Sequence, residues 1–110
     1  NLTNKAFKAN SNQRIQLHIA AVFACNFSNY FYTLASDILE NQALPFDILK
    51  PLILETAIKI QTLQPLDAQT GPARRHDTTT MERHLEMIAD PQIKKIYSEL
   101  SNLISERYKI

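Results

Sequence analysis

Apolar positions recur at three- and four-residue steps along most of the chain, which is the helical period. The clearest run is Ile15, Ile19, Val22, Phe23, Phe27, Tyr30, Phe31, Leu34 and Ile38. It predicts one long helix from Gln13 to about Gln42, with Ser11 or Asn12 as its cap and Leu44-Pro45 just beyond its end. About thirty residues make roughly 45 Å of helix, well above the usual length in a small domain. Between Leu17 and Ala35 only His18 can carry charge near neutral pH, and Ala20, Ala24 and Ser28 recur at four-residue intervals on the face opposite it. Small side chains there let another backbone approach closely. The middle of this helix is therefore expected to be packed on more than one side.

The remaining pattern is also helical. A second helix is expected from Asp47 to about Leu63, with Leu49, Leu52, Ile53, Ala57 and Ile60 as its stripe and Asp47 as its cap. Pro51 then falls at the fourth helical position, a possible source of a bend. Gln64–Asp77 reads as the main non-helical connection, punctuated by Pro65, Gly71 and Pro72. A third helix covers about Glu82 to Ala89 and the turn before it, with Thr79 and Glu82 spaced as a capping box and Met81, Leu85 and Ile88 on one side. The fourth starts at Asp90-Pro91, a cap followed by proline at the first helical position, and carries Ile93, Ile96, Tyr97, Leu100, Leu103, Ile104 and Tyr108. Residues 1–12 are polar and irregular, with a short strand conceivable around Lys5–Lys8. The fold class expected is all-α, with four main helices of which the first is long.

Composition narrows the class of function. The 110 residues are 45% hydrophobic and 21% charged, ordinary values for a globular domain. With 12 basic and 11 acidic residues the net charge is +1, so neither a nucleic-acid nor an anionic-membrane partner is expected. One cysteine, Cys25, permits no internal disulfide and makes a reducing, cytoplasmic compartment the default expectation. No signal peptide or membrane span is expected. The chain begins at Asn1 without a methionine, which reads as an excised domain or an incomplete chain.

Several chemical signatures are absent. Gly71 is the single glycine, which rules out a glycine-rich phosphate loop within these residues, and there is no paired-cysteine, HExxH or GxSxG motif. On a regular helical wheel His18, Cys25 and Asn29 fall within roughly 40° of one another, with Asn26 to one side. An imidazole there can exchange a proton and a carboxamide can orient a carbonyl or hydroxyl. The competing reading has His18 merely hydrogen-bonded or half exposed, and Asn26 and Asn29 bonded to a neighbouring helix. Cys25 reads as a small core residue.

A second cluster lies in the connection. Gln69, Thr70, Gly71, Arg74, Arg75, His76 and Asp77 place an amide, a hydroxyl, two guanidiniums and an imidazole around the one glycine. Arg74 or Arg75 can bind a carboxylate or phosphate with paired donors. Equally, the arginines can cap the preceding helix or pair with Asp67 and Asp77. His84 reads as helix packing or surface. No ligand spacing joins the three histidines, so no metal site is expected. Phe23, Phe27, Tyr30, Phe31 and Tyr32 read as core and interface rather than a base-stacking platform, because their period is helical and no basic groove accompanies them.

At these residues the chain resembles a known family. The run from Leu17 to Asn29, then Leu44-Pro45-Phe46, Gln69 to Asp77 and Glu82-Arg83-His84-Leu85, is similar to the C-terminal helical domain of bacterial Rossmann-like proteins with an uncharacterised second domain. These are related in layout to pyrroline-5-carboxylate reductase and to the 6-phosphogluconate dehydrogenase C-terminal-like superfamily. The resemblance covers about residues 13–108. It implies that residues 1–12 are the tail of a missing N-terminal Rossmann domain or a linker, and that 13–110 form a helical substrate and dimerisation domain.

It further implies a full-length NAD(P)-dependent oxidoreductase that binds NAD or NADP mainly through the missing domain, acts on a small molecule, forms a homodimer and is inactive as this segment alone. His18, Asn26 and Asn29 then take catalytic, cleft-facing positions, and Gln69, Thr70, Gly71 and Arg74 line the substrate or cofactor cleft. One departure is chemical. Related hydroxyacid dehydrogenases often carry a lysine four residues before an asparagine on this helix, whereas the positions four before Asn26 and Asn29 are Val22 and Cys25. The proton donor must be another group, with His18 the first choice, or belong to the absent domain. The alternatives are a non-enzymatic dinucleotide-sensing or structural dimerisation module, and a free-standing helical adaptor.

Overall fold

The computed structural model describes residues 8–109; most of the strand conceived at Lys5–Lys8 lies outside them. The described residues contain helices, turns and no strand, so the chain is all-α. They fall into two compact units, one up to Leu54 and one from Glu55 onward, each considered separately.

The first unit is built on the long helix, in three segments: α1 (Ser11–Ala21), a π-helical stretch (Val22–Phe27) and α2 (Ser28–Glu40). Its cap is Asn10 rather than Ser11 or Asn12, and the helix begins two residues earlier than Gln13. The Asn10 side chain accepts the Gln13 N–H at 2.8 Å, and the Gln13 side chain accepts the Asn10 N–H at 3.0 Å. This reciprocal box satisfies two donors that the first turn leaves without partners.

The far end closes as a Schellman turn. The Leu44 N–H reaches the Leu39 carbonyl at 2.9 Å and the Ala43 N–H reaches Glu40 at 3.0 Å. Ala43 takes φ 56°, the left-handed conformation usually given to glycine. Pro45 follows and prevents continuation.

The π stretch corrects the expectation of one regular α-helix. A π turn inserts about one residue, which rotates everything downstream by roughly 100° relative to an unbroken α-helix. The Ser28 hydroxyl donates to the Ala24 carbonyl at 2.9 Å, satisfying an acceptor within the altered ladder.

The second predicted helix is divided. A 3₁₀ turn (Phe46–Leu49) contacts α2, and α3 (Lys50–Thr62) follows. Asp47 makes no capping bond; it pairs with Lys50 at 2.7 Å, with both side chains largely exposed. Pro51 is the second residue of α3 instead of the fourth of a longer helix. A residue without an N–H is tolerated there, because first-turn donors have no partner within the helix.

In the second unit, α4 (Pro65–Ala68) puts a helical turn inside the connection expected to be irregular, and α5 (Thr78–Met87) and α6 (Pro91–Arg107) follow. Asp90 caps α6 as expected, accepting the Gln92 N–H at 2.8 Å. The α5 cap is Asp77, not the Thr79–Glu82 box. Met81, Leu85 and Ile88 of the α5 region and Ile93, Ile96, Tyr97 and Ile104 of α6 are half-buried. Leu100 and Leu103 of the predicted α6 stripe stay exposed. His84 Nδ1 and the Tyr97 hydroxyl are 2.7 Å apart, with the rings edge to face, so this histidine packs α5 on α6.

Asp77 ties this unit to pH. Its carboxylate accepts the Thr80 hydroxyl at 2.7 Å and the Thr80 N–H at 3.1 Å. Those two bonds, led by the hydroxyl, hold its pKa below the ordinary 3.8. Since the folded form binds the proton less readily than the unfolded chain, the cap's contribution is complete above 3.8 and is lost as pH falls through the lower folded value. Acid titration of helicity is expected to show this loss, and Asp77→Asn to weaken it. Identical acid transitions in the two proteins would remove Asp77 from the linkage.

Among the described residues only Ala73 is buried, at 5% exposure. The long helix contributes much of the exposed apolar area through Ile15, Ile19, Phe23, Phe27, Tyr30 and Phe31.

Candidate functional site

His18 lies in α1, Asn26 in the π stretch and Asn29 at the start of α2. All three side chains are exposed, as is Cys25, which is therefore not a core residue. Their alignment on a regular wheel does not survive the π turn, which moves Asn29 roughly 100° away from its predicted position relative to His18. Among the described residues no side-chain hydrogen bond joins the three. The backbone of this stretch, rather than its side-chain pattern, sets their separation.

The connection in the second unit is more organised. Thr56, Lys59, Ile60, Pro65, Ala68, Gln69 and Thr70 line a hollow of ≈190 Å³. α3 supplies one wall, and the tight return through α4 brings Gln69 and Thr70 to the other. Gln69 Nε2 donates to the Thr70 carbonyl at 3.1 Å. Lys59 Nζ lies 3.7 Å from Glu55, an exposed helical ion pair of weak hold.

Gly71 and Arg74 do not line this hollow. Gly71 sits at φ 104°, where its missing Cβ matters for backbone conformation; there is open space around it. The Arg74 guanidinium stacks 4.1 Å over the Tyr108 ring, and Arg75 reaches Asp77 at 3.8 Å. The predicted cluster thus separates into a polar wall at Gln69 and Thr70 and a fastening at Arg74.

Tyr108 is the centre of that fastening. Its hydroxyl donates to the Leu66 carbonyl, and its own carbonyl accepts from His76 Nε2 at 2.8 Å. A carbonyl has no proton to give, so Nε2 carries the hydrogen. Ser105 adds a bond from its hydroxyl to the Ala73 carbonyl at 3.1 Å. His76 holds φ 55°, uncommon for a side chain of its size, and its ring bond to Tyr108 secures that turn.

Lys59 does not stand out in the sequence, and the periodicity gives Tyr108 only a packing role. The available signals were a cation in the last turn of α3 just before Pro65, and an aromatic residue at the very end of the α6 stripe. Among the described residues no group of three or more His, Cys, Asp or Glu side chains gathers as a metal site. No helix among them is long and apolar enough to cross a membrane.

None of the curated proteins matches the chain. Among solved structures, the crystal structure of a Bacteroides fragilis protein described as a proposed NADP oxidoreductase matches with a TM-score of 0.87 and 50% identity, over 91% of this chain. The match spans 39% of that protein's length. A family model described as a domain of unknown function, DUF2520, matches residues 1–104. A match of that extent identifies the chain as a member of the DUF2520 family.

Proposed function

We propose that this chain is the helical substrate-cleft and dimerisation segment of an NADP-dependent oxidoreductase, with the dinucleotide held mainly by a part of the protein outside these residues. The observation that carries the reading is the 50% identity over 91% of the chain with the Bacteroides fragilis protein, of which this segment corresponds to 39%. The apolar row left exposed on the long helix supports a role in assembly.

The described residues do not themselves fit a dinucleotide. A pyrophosphate is normally cradled by a glycine-rich turn at a helix N-terminus. Here the one glycine sits in an irregular loop. The segment's own contribution is instead to bound the substrate, through Gln69 and Thr70 at the hollow, and to supply His18, Asn26 and Asn29 as polar positions on an otherwise apolar helix. Val22 cannot relay a proton, so His18 is the first choice of donor.

Full-length protein is expected to oxidise NADPH in the presence of one class among small keto acids, imines and aldehydes. His18→Gln should lower kcat by roughly 10²-fold with NADPH affinity and melting temperature unchanged. Equal turnover by the variant would take His18 out of the mechanism. Tight stoichiometric NADP binding by residues 1–110 alone would overturn the division of roles.

A further inference from the structure

The hollow between α3 and the α4 turn is lined by one cationic residue, Lys59, by the polar residues Thr56, Gln69 and Thr70, and by the apolar Ile60, Pro65 and Ala68. Lys59 meets Glu55 only at 3.7 Å, beyond hydrogen-bond length, so a better-placed anion can displace that carboxylate. Gln69 uses one N–H on the Thr70 carbonyl, which steadies the amide and leaves its second N–H and Oε1 to a ligand.

We infer that this hollow takes a small molecule bearing a single carboxylate on a compact apolar body, with Lys59 as counter-ion and Gln69 and Thr70 as hydrogen-bonding partners. The charge argues for a monoanion: one ammonium matches one carboxylate, whereas phosphate sites generally add an arginine fork or several converging backbone N–H groups. Arg74, the nearest guanidinium in sequence, is engaged on Tyr108. The volume argues for a small body, since ≈190 Å³ is below the roughly 300 Å³ at which drug-sized pockets begin. Calling this molecule the substrate rests on the oxidoreductase reading above; its binding does not.

The test is a titration of the ¹⁵N-labelled full-length protein, without dinucleotide, by isobutyrate, isobutyramide and inorganic phosphate at matched ionic strength. Isobutyrate is expected to shift the amides of Lys59, Gln69 and Thr70 saturably, with isobutyramide about tenfold weaker and phosphate no tighter than isobutyrate. Lys59→Met, which keeps the apolar stem, should weaken isobutyrate about tenfold, and Glu55→Gln should tighten it by removing the internal competitor.

Equal affinity for the amide, unchanged binding by Lys59→Met, or saturable shifts confined to other regions would overturn the site. Tighter binding of phosphate would overturn the carboxylate class. Intact isobutyrate binding in a protein that never oxidises NADPH would sink the oxidoreductase reading and leave this inference standing.

Discussion

Tyr108→Ala is expected to destabilise the second unit by about 2–3 kcal/mol, below the roughly 3–5 kcal/mol lost at buried aromatic positions because the side chain is half-buried. Three contacts go together: the hydroxyl bond to the Leu66 carbonyl, the ring surface under Arg74, and the packing that keeps the residue's own carbonyl in reach of His76. Tyr108→Phe removes only the first and should cost about 1 kcal/mol. Urea unfolding of the two variants, with a probe in α5 or α6, separates these amounts. Because Leu66 belongs to the α4 turn, the alanine variant should also loosen the wall carrying Gln69 and Thr70, seen as faster amide exchange there. Alanine and phenylalanine variants of equal, near-wild-type stability would show that the turn is held by its backbone bonds alone.

Phe23→Glu is expected to convert a dimeric full-length protein into a monomer. Phe23 is 65% exposed, stands edge to face with Phe27 at 4.9 Å, and begins the aromatic part of the exposed row, which continues through Tyr30 and Phe31. A stable protein interface covers about 800 Å² on each partner, with aromatic residues enriched at its centre. A carboxylate placed there would be buried without a counter-ion, a penalty of several kcal/mol and more than about 100-fold in dissociation constant. Sedimentation equilibrium of both proteins reads this directly. Unchanged dimerisation by the variant would place the interface elsewhere, and a monomeric wild type at micromolar concentration would end the dimer proposal.

Much of the helix content was legible because the chain carries a plain three-to-four periodicity with strong end signals. Asp90-Pro91 marked the start of α6 correctly, since the carboxylate cap and the proline at the first position both act locally. Caps chosen from several adjacent candidates fared less well. Asn10, Ser11 and Asn12 are all competent, and the reciprocal bond to Gln13 selected Asn10. Likewise Asp77, one residue before α5, was preferred over Thr79 because its carboxylate reaches both donors of Thr80.

The candidate site was only half legible. Gln69 and Thr70 share the hollow, but Lys59, ten residues before Gln69, joins them only because the chain reverses through α4. Arg74 looked like an anion clamp from its neighbours in sequence; its partner is Tyr108, at the far end of the unit's sequence.

The long helix shows where the division lies. Its apolar period, its uncharged middle and its stop at Leu44-Pro45 follow from the sequence by itself, as do the all-α class and the start of α6, because each depends on interactions within a few residues. The π stretch from Val22 to Phe27 does not follow, since apolar and small side chains surround the helix there and neither register exposes a charge. Tertiary structure alone decided that Asn29 leaves the face of His18, that Tyr108 fastens the turns at Leu66 and His76, and that Lys59 lines one hollow with Gln69 and Thr70. Those outcomes depend on backbone register and on contacts between distant residues, which no local periodicity encodes.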